Sequence, residues 1–139
     1  MTPVYEDNHI IIVSKLSGEI VQSDKTGDVP LVEIVKKYLK EKYAKPGNVF
    51  LGVVHRLDRP VWGLVAFAKT SKALSRMNAL FRTGDVQKTY WAIVQSYPEN
   101  EAGELVHWLT RNEKQNKSYA HDHEVPGAKK AILNYKVIG

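Results

Sequence analysis

A lone aspartate, Asp58, stands in the run His55-Arg56-Leu57-Asp58-Arg59-Pro60, between two strongly apolar stretches at residues 49–54 and 61–68. Strand, charged turn and strand again is how a fold fixes a reactive side chain on a rigid base. A carboxylate among guanidinium groups is favoured in its ionised form. That suits a nucleophile or a base better than a proton donor. It also suits a polyanionic substrate, because the arginines could hold phosphates while the carboxylate reacts. The plainer alternative is a surface ion pair, which contributes little. No second acid sits in a comparable setting, so the paired carboxylates of a glycoside hydrolase are not offered. His121-Asp122-His123 puts two imidazoles on one side of a strand, but no third ligand follows at a convincing spacing, and no metal is expected. Neither a glycine-rich phosphate loop nor a Gly-x-Ser-x-Gly elbow occurs.

The wording of the run carries more than its charges. His55-Arg56-Leu57-Asp58-Arg59, then Gly63, an apolar stretch and Ala68-Lys69-Thr70, resembles the signature of the RluA family of RNA pseudouridine synthases. Glu6-Asp7, His9-Ile10-Ile11-Ile12-Val13 and Lys15-Leu16-Ser17-Gly18 resemble that family's opening strand and its Lys-Pro-x-Gly turn. Thr70-Ser71-Lys72-Ala73, Lys88-Thr89-Tyr90-Trp91-Ala92 and Lys129-Lys130-Ala131 leading into Tyr135-Lys136-Val137 follow in the family's order. The resemblance implies that Asp58 is the essential catalytic residue and that Tyr90 packs against the target base. Tyr90 as a plain core aromatic remains the alternative. Lys88 joins the implied substrate-binding set. Arg56 would contact RNA backbone, fill the space left by a departing base, or form a salt bridge to Asp58. His55 is either a participant or a hydrogen-bonding element of the turn. Arg59 would meet phosphate or solvent, and Lys15 would be a turn residue that helps to position the substrate.

The implied reaction is conversion of uridine to pseudouridine in structured RNA, ribosomal RNA first and transfer RNA second, without a cofactor. Breaking the C1′–N1 bond builds positive charge at C1′, which a carboxylate stabilises or captures. Asp58 would attack C1′ or remove the 2′ proton. Three departures stand against the family pattern: Val61-Trp62 replaces a Thr-Ser pair, Leu16 replaces the turn proline, and the sequence stops at Gly139 before a basic motif that pairs with the aspartate. The 139 residues therefore read as one domain, the front portion of a catalytic domain. A non-catalytic RNA-binding module is the alternative reading.

The elements that must position these residues follow from periodicity. Residues 9–13 form a strand, which Ser17-Gly18 turns toward Glu19-Ile20-Val21 as a hairpin. Leu31, Ile34, Val35, Tyr38 and Leu39 share one helical face, with Pro30 in the first turn and Pro46-Gly47 as the stop. Thr70 or Ser71 caps a second helix, whose apolar face is Ala73 or Leu74, Met77, Leu80 and Phe81, and Thr83-Gly84 closes it. Residues 87–95 alternate as a strand with Tyr90 and Trp91 on opposite faces. Residues 104–110, 117–121 and 130–138 read as further strands. The expected fold is α+β, a mixed, largely antiparallel sheet with two helices, in a truncated pseudouridine synthase domain.

Composition sets the outer bounds. A net charge of +5 is compatible with a nucleic-acid partner, and Arg111, Lys114, Lys117, Lys129 and Lys130 cluster in the last third. A second group, Lys36, Lys37, Lys40, Lys42 and Lys45, reads as a solvated helix face. The chain has no cysteine, which excludes disulfides, thiolate catalysis and Cys-based zinc sites. No stretch approaches the roughly 20 apolar residues of a membrane span, and a cytoplasmic location is expected.

Overall fold

The computed structural model describes residues 3–139. They fall into two compact units, one running to Thr89 and one spanning Tyr90–Gly139. The first contains β1 (Pro3–Glu6), β2 (Ile10–Lys15), α1 (Leu31–Lys42), β3 (Gly52–Val53), β4 (Gly63–Ala68) and α2 (Ser71–Thr83). Its sheet has the order β1-β2-β4-β3, with every pairing antiparallel.

The β2–β4 ladder runs from Ile10↔Ala68 to Lys15↔Gly63 and sets the core. Period-two alternation sends Ile11 and Val13 inward opposite Phe67 and Val65, and all four are fully buried. Leu31, Val35 and Leu39 of α1, spaced four residues apart, close over them. Each such side chain contributes on the order of 1.5–3 kcal/mol by leaving water.

The start of α1 corrects one expectation. Glu19-Ile20-Val21 does not return as a hairpin strand. Its backbone instead receives the free amides of the helix, with Leu31 N–H donating to Ile20 O (2.7 Å) and Val32 N–H to Val21 O (3.2 Å). Pro30 is the N-cap in an extended conformation and offers no side-chain cap, so these carbonyls satisfy what a capping residue normally would. α2 follows its expected signals: Thr70 Oγ1 accepts from Ala73 N–H, and Gly84 closes the helix in the left-handed region at φ 79°.

Two strands flanking the Asp58 turn are shorter than their apolar stretches, because residues 54–62 leave the ladder to form the loop. β1 gave no strand signal in the sequence, yet it pairs with β2 through an irregular register. Residues 87–95 form no strand, and Tyr90, Trp91 and Ile93 are all exposed, so the two-faced alternation there meets no ladder among the described residues. The second unit comprises β5 (Ala102–Asn112), β6 (Lys117–His121) and β7 (Lys129–Lys136) in the antiparallel order β6-β5-β7. None of its residues is buried. No helix among the described residues is long and apolar enough to cross a membrane.

Glu6 ties the first unit together from its edge. Its nearly buried carboxylate accepts from Lys42 Nζ (2.8 Å), Lys69 Nζ (2.9 Å), Tyr43 OH (2.7 Å) and Tyr38 OH (3.1 Å). Burial alone would push this carboxyl up, but the hydrogen bonds from Lys42, Lys69 and the tyrosines outweigh it and hold it at about 2. Lowering from 4.5 to about 2 is worth at most about 3 kcal/mol. Because the folded value is the lower one, that stability is fully present above the unfolded value near 4.5 and is lost as pH falls toward 2. Glu6→Gln should therefore destabilise the chain at neutral pH by about 2–3 kcal/mol, with the difference from wild type shrinking through this window. Urea unfolding followed by circular dichroism across pH 2–7 checks it, and a difference that stays constant with pH would refute the ion-pair account.

Candidate active site

Asp58 lies in the loop that joins β3 to β4, and three sets of contacts fix that loop. Val61 N–H donates to Asp58 O (3.0 Å), closing the turn. Lys15 Nζ donates to Val61 O (2.5 Å), Arg59 O (3.1 Å) and Leu16 O (3.1 Å). Gly18 N–H donates to Arg59 O (2.8 Å), from a backbone at φ +92° that glycine adopts without strain.

Lys15 sits in this position because it continues the inward face of β2 after Ile11 and Val13. Its side chain is fully buried. Desolvation lowers its pKa below the usual lysine range, the charges of Glu19 and Asp58 act the other way, and Arg59 adds to the lowering. An ammonium group there has no water, so the loop carbonyls take water's place.

The carboxylate of Asp58 is exposed and makes no hydrogen bond or ion pair with any described side chain. Arg56 is likewise exposed and unpaired among the described residues, so the salt bridge between these two does not form. Arg59 turns away from Asp58 toward the polar loop before α1. Its guanidinium donates to Asp28 Oδ2 (2.7 Å), Thr26 Oγ1 (2.8 Å), Asp24 Oδ2 (3.2 Å) and Gly18 O (3.2 Å). Those hydrogen bonds from Arg59 hold Asp28 below the ordinary carboxylate range; at Asp24 the bonds from Thr26 come first and Arg59 adds to them.

His55 serves the loop as an acceptor. Its Nε2 takes the Ala66 N–H (3.1 Å), beyond the two rungs by which β3 pairs with β4, and its ring stacks on Phe81 of α2 at 5.2 Å. Burial lowers its pKa, and the charge of Lys88 lowers it further, which favours the neutral ring that this hydrogen bond requires. Lys88 and Tyr90 lie outside the loop, in the exposed stretch after α2. Tyr90 belongs to the second unit.

His55, Arg56, Asp58 and Arg59 are therefore gathered on one loop that Lys15 of β2 anchors, with Asp58 and Arg56 left without side-chain partners among the described residues. Sequence reasoning missed the partners of Arg59. The only signal for them was the spacing Asp24-x-Thr26-x-Asp28, in which Asp24 Oδ1 also accepts the Thr26 N–H (2.9 Å) as an Asx turn. The residue pair His121 and His123 is not joined by a third ligand: no cluster of three His, Asp or Glu able to hold a metal occurs among the described residues. His121 instead shares a hydrogen bond with Thr110 Oγ1 (3.0 Å).

Comparison with solved structures first defines the class of fold. The chain is similar to human RNA pseudouridylate synthase domain containing 4 with a TM-score of 0.77 over 96% of this chain and 52% of that one, at 21% identity. A family model described as RNA pseudouridylate synthase matches residues 9–139, and the chain belongs to that family. It is 34% identical over 110 residues to ribosomal large subunit pseudouridine synthase C of Vibrio cholerae serotype O1, covering 79% of this chain and 33% of the relative. It is 34% identical over 102 residues to tRNA pseudouridine synthase C of Vibrio vulnificus, covering 73% and 39%. The chain thus spans between a third and two-fifths of the length of these curated relatives.

Lys15→Met should leave the Arg59, Val61 and Leu16 carbonyls without their shared donor and destabilise the chain by roughly 2 kcal/mol or more. The amide hydrogens of Gly18 and Val61 should then exchange faster in native-state hydrogen exchange. Unchanged exchange at both would mean that the loop is held by something other than Lys15.

Proposed function

We propose that this chain isomerises uridine to pseudouridine in structured RNA, with Asp58 as the catalytic carboxylate. One observation carries the reading: the loop backbone around Asp58 is fixed from below by a buried lysine, while the carboxylate itself is exposed and unengaged among the described residues. A group that reacts at C1′ must be rigidly placed and free of competing partners.

The reaction balances without an added group. The C1′–N1 bond breaks, the uracil rotates, C5 bonds to C1′, and the proton lost from C5 is matched by one gained at N1. Asp58 meets the electron-poor sugar either by attack at C1′ or by removal of the 2′ proton. A uridine within a duplex must leave the stack first. Tyr90 would then stack on the flipped base, with Lys88 beside it, and Arg56 would hold backbone phosphate or occupy the vacated space. His55, Arg59 and Lys15 act through the loop, as positioning residues. Ribosomal RNA is the first expected substrate and transfer RNA the second, as the names of the relatives support. Both are found in the cytoplasm, which is the proposed location. The family match extends across both units and supports their belonging to one catalytic domain.

Asp58→Asn should abolish tritium release from RNA labelled at uridine C5 while leaving RNA affinity within a few fold. Release by the variant at the wild-type rate would sink the assignment. RNA affinity should also fall steeply with salt, since phosphate contacts release counterions. A flat salt response would argue against a polyanionic substrate.

A further inference from the structure

We propose that Trp62 is a stacking platform for an unpaired nucleobase that neighbours the modified uridine. The inference rests on the reading of Asp58 given above and adds a second RNA contact on the same loop.

Trp62 is 71% exposed, although tryptophan is a residue that folding ordinarily covers to a large extent. An isolated exposed aromatic would mean little, since single apolar residues are common on surfaces. Here the backbone that carries it is among the best-anchored in the molecule. Lys15 Nζ holds the carbonyl of Val61, the residue just before Trp62, at 2.5 Å. Gly63, the residue just after, is the last rung of the β2–β4 ladder opposite Lys15. Gly63 also reaches φ +149°, which turns the chain from loop into strand at this point. The Leu57 side chain packs against this turn, since a Cβ on Gly63 would lie 3.4 Å from Leu57 Cδ1. Asp58 and Trp62 thus lie four residues apart on the same loop, with Trp62 its last residue before β4.

No cation or aromatic ring among the described residues packs on Trp62, whereas Trp108 carries Lys130 over its ring and Tyr43 carries lysines over its own. The indole faces are therefore not taken by the kind of contact that occupies Trp108 and Tyr43. Single-stranded and looped RNA presents flat bases of any sequence to such surfaces, and stacking is how aromatic side chains hold them. The unpaired guanidinium of Arg56, on the same loop, supplies the charge that an adjoining phosphate needs. The ring, the free cation and the free acid would then grip consecutive parts of one strand.

The test uses the full chain with Trp91→Phe and Trp108→Phe, so that Trp62 is the only tryptophan, excited where tyrosine does not absorb. The probes are a short single-stranded RNA of mixed sequence and the same strand in a duplex. Trp62 emission should be solvent-like in the free protein and quenched by the single strand far more than by the duplex. In a chain with all other tryptophans intact, Trp62→Ala should weaken single-strand affinity and raise KM roughly ten-fold, and Trp62→Phe by no more than about three-fold. Asp58→Asn should leave the quenching unchanged. Unquenched emission, or affinity and KM unchanged in Trp62→Ala, would overturn the inference even while tritium release proceeds. Blue-shifted emission that RNA does not alter would overturn it too, by showing that another part of the protein covers the ring. Quenching with the affinity loss, in a chain that releases no tritium, would uphold Trp62 and remove only the catalytic reading.

Discussion

Three hydrogen bonds from one buried ammonium group organise everything around Asp58. Burying Lys15 costs several kcal/mol in lost hydration, and that cost is offset only where carbonyls replace the lost waters. Those carbonyls belong to Leu16, Arg59 and Val61, so the loop must adopt the one course that presents them. The position of the ammonium is in turn dictated by the alternation of β2, which places Lys15 on the same face as Ile11 and Val13. Core packing and loop geometry are one constraint. The reach of Lys15 ends at the backbone, and for that reason the carboxylate of Asp58 stays free.

Two carboxylates of the first unit illustrate what this arrangement makes possible. Glu6 is saturated: four donors surround it, its charge is locked in and its task is to join β1 to α1 and to Lys69. Asp58 is held through the backbone of its loop, but its carboxylate has no side-chain partner among the described residues. Arg59, the cation nearest in sequence, is neutralised by Asp24 and Asp28. Arg56 is the guanidinium of this loop left without an acidic partner among the described residues.

What the sequence made legible was the part governed by short-range rules. The apolar face of α1, the strand at β2, the Thr70 cap and the Gly84 stop all depend on neighbours within a turn or a strand, and all stand. The motif around Asp58 led to the family to which the chain belongs. Legibility failed where an element's partner is distant. Ile20 and Val21 are buried as their apolar character implies, but periodicity could not say that their carbonyls would serve a helix rather than a strand. Residues 87–95 alternate convincingly, yet alternation describes faces and does not supply a neighbouring strand. The sequence implies phosphate or solvent as the contact of Arg59, and for Lys15 a turn role that helps to position the substrate. Their actual partners are carbonyls of the loop and two acids some thirty residues upstream of Arg59, pairings that charge patterns alone do not specify.

The ladder that ends at Lys15↔Gly63 has a consequence for how the geometry comes into being. β2 has no partner on this side until β4, some fifty residues later, has been made, so the pairing is a long-range closure rather than a local zip. Its final rung is also the one that seats the ammonium under the loop. The placement of Asp58 and Trp62 therefore depends on closure of the sheet. The surface around Asp58 and Trp62 thus arises together with the interior of the unit.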